Sequence, residues 1–227
     1  MKHIALLTTL LLSASLQAVE KPYDYVFFEN SLMKGDYFYS QAKYTSPSWI
    51  KNARHHLPVA GSVAFTPGNS LELTYVSAPG GDWYSEIQYC PVRGNDFFRE
   101  PSTLSMQVRL RESMNAAALP NIAIRYADST YTQYLNLRNY LKDTRPGVWH
   151  SVSIPLKDFG LNAVNDTNIK KLAAVALRPG TADGNEYTIY LDDIELLPAS
   201  LPSVSTLNAP VLQEAKAYER HIDIKWV

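Results

Sequence analysis

Between Val148 and Leu196 the chain alternates apolar and polar side chains, and that period of two leaves few folds open. Val148, His150, Val152 and Ile154 alternate with Trp149, Ser151 and Ser153, so a strand here presents two chemically different faces, and Pro155 ends it. Tyr187, Ile189 and Leu191 alternate with Thr188 and Tyr190 until Asp192 and Asp193 interrupt the run, after which Ile194 and Leu196 resume it. Two adjacent carboxylates inside such a run predict a bulge or sheet rim, where a carboxylate serves a cation or a buried hydrogen bond.

Strand-like runs recur at 23–28, 37–44, 62–66, 70–77, 83–90, 103–111, 122–127, 130–137, 149–154, 172–178 and 187–196. Pro67-Gly68-Asn69, Pro79-Gly80-Gly81-Asp82, Arg93-Gly94-Asn95-Asp96 and Asp183-Gly184-Asn185 punctuate them at the spacing of an all-β sandwich. No long amphipathic helix is present; short helical turns are expected at 46–53, 137–141 and 158–168. The 15 Tyr, 4 Trp and 14 Pro suit aromatic strands joined by stiff loops, whereas a helical protein favours Ala, Leu, Glu and Lys.

The 21 basic and 22 acidic residues nearly cancel and form no basic cluster, which removes the electrostatic attraction that nucleic-acid binding depends on. The single cysteine, Cys90, cannot form an internal disulfide, so packing must supply the stability. No phosphate-cradling glycine loop, nucleophile elbow or Cys/His zinc set occurs.

Residues 1–18 combine a basic start, a short apolar stretch and small residues ending at Ala18, the pattern of a secretory signal peptide. Its apolar run is too short to span a bilayer, so a secreted or periplasmic protein is expected, with no membrane span. After residues 19–198, a Pro/Ser-rich linker at 199–208 leads into alternation that stops at Val227. Residues 209–227 resemble the first two strands of a fibronectin type III domain, and two strands bury no core. The chain is therefore expected to be the front of a longer protein; the alternative is that this tail adds to the preceding domain as an edge hairpin.

The run WHSVSIPLKDFG, KLAAVALRPG, EYTIYLDDIELL resembles the closing third of the galactose-binding-like β-jelly rolls that serve bacterial glycan-degrading enzymes as carbohydrate-binding modules. The likeness covers residues 22–198. FFENSLMKGDYFYSQAKYTSPSW together with APGGDWYSEIQY also resembles an accessory region that precedes a fibronectin type III segment and a glucoamylase-like catalytic domain in secreted bacterial glycoside hydrolases. The resemblance implies an antiparallel two-sheet jelly roll, a glycan or polysaccharide partner, and a C-terminal catalytic domain in the same longer protein, one acting on a β-glucan or related polysaccharide.

On the strand at 83–90, Trp83, Ser85, Ile87 and Tyr89 share one face and Tyr84, Glu86, Gln88 and Cys90 the other. A flat ring beside carboxylate and amide groups is what a pyranose requires, since the ring covers its C–H face and the polar groups bind its hydroxyls. A similar mixture recurs at Arg125 and Tyr126, and at Tyr131, Gln133 and Tyr134. Trp83, Tyr84, Glu86, Arg125 and Gln133 are the candidate carbohydrate-binding residues, on the expectation that strands 83–90, 122–127 and 130–137 are sheet neighbours. The competing expectation is that such aromatics are ordinary sandwich packing.

Modules of this kind often hold a structural calcium between first and last strands, and Glu29 and Asp193 match those places. Otherwise Asp192 and Asp193 satisfy loop amides or pair with Lys or Arg. No catalytic residue is assigned. Three functions stay open: a non-catalytic glycan-binding or spacer module, a structural domain packed on its catalytic neighbour, and a small jelly-roll lyase or hydrolase drawing on carboxylates such as Glu72, Glu86, Glu112 and Asp128.

Overall fold

The computed structural model describes residues 25–52, 54–89, 101–161, 171–198, 212–217 and 222–226. Their strands in chain order are β1 (Tyr25–Phe28), β2 (Ser40–Thr45), β3 (Trp49–Ile50), β4 (Val59–Ala60), β5 (Ser70–Val76), β6 (Asp82–Gln88) and β7 (Pro101–Leu110). They continue with β8 (Asn121–Tyr126), β9 (Leu135–Asn136), β10 (Trp149–Pro155), β11 (Leu172–Arg178), β12 (Glu186–Pro198), β13 (Leu212–Ala217) and β14 (Ile222–Trp226). Among the described residues 3-10 turns lie at Ala116–Ala118, Leu137–Tyr140 and Leu156–Phe159, and none forms a longer helix. No helix among them is long and apolar enough to cross a membrane.

The strands form two antiparallel sheets, as the alternation predicts. One has the order β10-β7-β12-β5-β3, with β1 added against β12 and β4 against β5; the other has the order β2-β6-β11-β8-β9. β13 and β14 pair in a separate two-stranded sheet. Leu104, Met106, Val108 and Leu110 of β7 and Ile189 and Leu191 of β12 pack into one core with Trp83 and Ile87 of β6, Ile124 of β8 and Val175 and Leu177 of β11. The polar tips of buried aromatics find partners: Trp83 Nε1 donates to Ser77 Oγ (3.0 Å) and Tyr75 Oη to the Ala118 carbonyl (3.0 Å).

The acidic interruption in β12 is a bulge. Asp192 lies opposite Gln107 but Glu195 lies opposite Ser105, and Asp193 takes a positive φ of 45°. The Asp192 carboxylate is fully buried and accepts the backbone N–H groups of Phe65 (2.7 Å), Thr66 (3.3 Å) and Asp193 (2.9 Å). Burial nevertheless lifts its carboxyl to about 6. Because Asp192 takes two of the loop's amides, 62–66 is a pinned turn rather than the expected strand.

Two further expectations change. The helical turn expected at 46–53 gives way to β3, whose residues pair with β5. Most of 130–137 is irregular, touching β8 through an isolated bridge from Tyr131 to Arg125 and through the two residues of β9. The turn expected at 137–141 is present; of that expected at 158–168, residues 158 and 159 belong to the 3-10 turn at Leu156–Phe159 and 162–168 lie outside the described residues. The signal segment 1–18, Cys90, the turn at 93–96 and the linker 199–208 lie outside the described residues.

Trp83 is 1% exposed and its ring sits 4.8 Å from that of Tyr75, so truncation leaves a cavity between the sheets. Trp83→Ala should lower the unfolding free energy by about 3–5 kcal/mol. The readout is a lower urea midpoint at unchanged slope; a change within 0.5 kcal/mol, roughly the scale of a surface substitution, would remove Trp83 from the core.

Candidate functional site

The outward face of the five-stranded sheet is set by strand register. In β11, Val175 and Leu177 enter the core, so Ala174, Ala176 and Arg178 alternate onto the other face. Ala176 pairs with Glu86 of β6 and Ala123 of β8, while Ala174 pairs with Gln88 and Arg125. The alanines leave a strip of small side chains down the middle of the sheet, and longer side chains from both neighbours reach across it.

Glu86 and Arg125 meet over that strip. Arg125 Nε lies 3.1 Å from Glu86 Oε2, with side-chain exposures of 15% and 2%. The Nε–H direction misses the oxygen, so the contact is an ion pair rather than a linear hydrogen bond. The carboxylate also accepts hydrogen bonds from Tyr131 Oη (2.7 Å) and Gln41 Nε2. A buried charge is tolerated only with this degree of pairing. Partial burial and the hydrogen bond to Glu86 push the Tyr131 phenol up to about 12, so it remains a proton donor.

A second cluster lies along the same face. The Arg178 guanidinium is 5.9 Å from the ring centre of Tyr84 and 5.8 Å from that of Tyr134. Its Nε donates to Tyr134 Oη and its Nη1 to Asp82 Oδ2, both at 3.1 Å. Tyr131 and Tyr134 are 5.9 Å apart, which joins the clusters into one belt running from Asp82 through Arg178, Tyr134 and Tyr131 to Glu86. Gly180 fixes the exit of β11, since a Cβ there would sit 2.1 Å from the Leu119 carbonyl oxygen.

Of the five residues expected to bind carbohydrate, Tyr84, Glu86 and Arg125 lie on this face. Trp83 does not: alternation on β6 sends its ring into the core, where it offers no surface to a ligand. Gln133 is exposed, but its amide donates to the Asp158 carbonyl and ties its loop to the 3-10 turn at Leu156–Phe159. The expected neighbours 83–90 and 122–127 are separated by β11, and Glu86 reaches Arg125 because β11 places alanine between them. Arg178 and Gln41 were missed. Their signals were the Arg that ends the alternation of LAAVALR and the polar position within SQAKYT, each legible only once the strand order is known.

Glu29 and Asp193 flank one pair of the β1–β12 ladder: Phe28 faces Ile194, Glu29 follows Phe28 and Asp193 precedes Ile194. Asp193 Oδ2 accepts from Thr66 Oγ1 (2.7 Å), while its buried Oδ1 has no hydrogen-bond partner. Among the described residues no group of three or more His, Cys, Asp or Glu side chains converges as a metal site. A cation here would therefore draw most of its ligands from the backbone.

The belt is poorly suited to catalysis. Glu86 and Asp82 are the carboxylates of the belt, four residues apart on one strand. Both are already paired with arginines. The Tyr131 shift is also opposite in direction to that needed for a proton-abstracting phenolate.

Residues 24–197 match the family described as Carbohydrate binding domain 30. Over all 227 residues the chain is 98% identical to an exo β-1,2-glucooligosaccharide sophorohydrolase (non-reducing end) of Parabacteroides distasonis, and it spans 32% of that protein's length. A crystal structure of a β-1,2-glucanase from Parabacteroides distasonis superposes with a TM-score of 0.80 at 98% identity, over 91% of this chain and 30% of that one. The family 30 carbohydrate-binding module of a cellulosomal cellulase of Clostridium thermocellum gives a TM-score of 0.55 over 78% of this chain and 99% of that one; at 16% identity the likeness is one of fold.

Arg125→Ala leaves the Glu86 carboxylate buried without its cation and should cost about 3 kcal/mol in chemical denaturation. Adding Glu86→Gln should restore at least half of that loss. A double variant no more stable than Arg125→Ala would show that the two charges are not coupled.

Proposed function

The chain belongs to the Carbohydrate binding domain 30 family, and from that membership we propose that it binds β-1,2-glucan on the outward face of the five-stranded sheet, as the non-catalytic front part of a longer β-1,2-glucan-degrading hydrolase. The observation that carries this is the belt itself. Partly exposed rings at Tyr84, Tyr131 and Tyr134 stand beside guanidinium, carboxylate and amide groups that are fixed to one another across the sheet. Such a surface meets sugar hydroxyls and C–H faces without reorganising, which limits the entropy lost on binding. Attached to a catalytic segment, it raises the local concentration of polysaccharide or braces that segment.

The same proposal includes a signal peptide at 1–18 and export to the cell exterior or periplasm, a galactose-binding-like module at 19–198, a linker at 199–208, and a fibronectin type III-like segment beginning at 209. The β13–β14 hairpin supports that last boundary. Glu29 and Asp193 we assign to a structural calcium joining the first and last strands of the sandwich; the unpartnered Asp193 Oδ1 supports it. The ion would supply charge neutralisation and a cross-link, with no part in any reaction.

Calorimetric titration of the 227-residue chain with β-1,2-gluco-oligosaccharides should show saturable binding that Tyr84→Ala weakens at least tenfold. Chromatography of the same mixtures should show no cleavage. Absence of binding, or release of shorter sugars, would overturn the proposal. For the metal, calcium should raise the Tm over that in chelator by several degrees, and Asp193→Ala should abolish the rise; identical melting of the wild-type chain in both conditions would remove calcium from the account.

A further inference from the structure

We infer that Arg178 is the specificity-determining residue of the glycan face, selecting a turned glucan over a flat β-1,4-linked ribbon because its guanidinium stands over the Tyr84 ring, on which a flat ribbon would stack, and presents a fixed fork of hydrogen-bond donors there. This rests on the binding function proposed above and names how that site discriminates.

A β-1,4-linked glucan leaves each pyranose through bonds on opposite sides of the ring. Its chain is an extended ribbon whose broad C–H faces lie on open aromatic platforms. A β-1,2 linkage uses adjacent carbons, so the chain turns at every residue. It presents hydroxyl edges, the 3,4-diol of each internal sugar turned outward at the bend, where the 2,3-diol of a β-1,4-linked sugar lies along the side of its ribbon. The two shapes ask for different surfaces, one of bare rings and one of fixed hydrogen-bond donors.

Around Arg178 this face is the second kind. Its guanidinium stands over the Tyr84 ring, 5.9 Å from the ring centre, and meets Tyr134 at the hydroxyl end of that ring, where Nε donates to Oη. The guanidinium is held rather than free, since Asp82 Oδ2 and Tyr134 Oη each accept one of its five N–H groups. Three N–H groups remain without an acceptor among the described residues, on a side chain that is 42% exposed. A planar fork held by two partners and backed by the Tyr84 ring is preorganised for a pair of neighbouring oxygens. Asp82, which is exposed, and the half-exposed Arg178 lie at the end of the belt, so an edge-on sugar can approach the fork from solvent.

The test is a two-ligand titration of the full chain with β-1,2-gluco-oligosaccharides and with cello-oligosaccharides of equal length. The wild-type chain should favour the β-1,2 series by at least tenfold. Arg178→Ala should weaken β-1,2 binding about tenfold or more and leave cello-oligosaccharide binding unchanged or stronger, so that the preference collapses. Arg178→Lys, which keeps the charge but not the fork, should lose nearly as much. Asp82→Asn, which loosens the anchor at an exposed position, should lose about threefold; these two variants decide the matter if Arg178→Ala fails to fold. A wild-type chain that binds neither series overturns the binding function itself. A wild-type chain that binds both series equally, or folded Arg178 variants that keep the preference, overturns this inference and leaves the binding function standing.

Discussion

The pairing of β11 between β6 and β8 is the constraint on which the rest depends. β11 turns large apolar side chains, Leu172, Val175 and Leu177, inward and Ala174, Ala176 and Arg178 outward. A slip of one residue would turn the large apolar side chains to solvent and leave alanines to fill the core, at a cost of several kcal/mol from lost burial alone. The register that seals the sandwich thus also sets where Glu86, Arg125 and Arg178 meet. Core and polar belt are two faces of one hydrogen-bonded ladder.

The outward face shows how such a sheet carries charge without instability. Glu86 is nearly as buried as a core residue, yet it has an arginine, a tyrosine hydroxyl and a glutamine amide as partners. Asp82, which is exposed, instead anchors Arg178 at the far end of the belt. The partners that satisfy each charge also hold it still, and groups already committed to one another are poor acids, bases or nucleophiles. The fixed polar belt is consistent with recognition, and its pairing works against chemistry.

Much of this fold was legible in the sequence because alternation reports burial directly. The runs at 70–77, 103–111, 149–154, 172–178 and 187–196 became β5, β7, β10, β11 and β12, and the Asp192-Asp193 interruption became a bulge. The failures share a cause, which is that local pattern carries no strand order. At 62–66 the alternation is real, but the carboxylate of Asp192, distant in sequence, takes the amides. Trp83 looked like a platform because aromatic residues are common to cores and sugar sites, and its own alternation with Tyr84 correctly split the two faces without saying which was outward. Arg178 was invisible for the same reason: its neighbours Tyr84, Tyr134 and Asp82 come from other strands and loops.

On the proposed function, ligand meets the five-stranded sheet, not the seven-stranded one, whose paired residues Trp149, Arg109 and Tyr190 offer an alternative aromatic and cationic surface. Backbone amide chemical-shift mapping of the isotope-labelled chain during titration with a β-1,2-gluco-oligosaccharide compares the two faces in one sample. The account predicts shifts concentrated at Tyr84, Glu86, Tyr131, Tyr134 and Arg178, with 107–109, 149–151 and 190 unmoved. Shifts concentrated on Trp149, Arg109 and Tyr190 would contradict it.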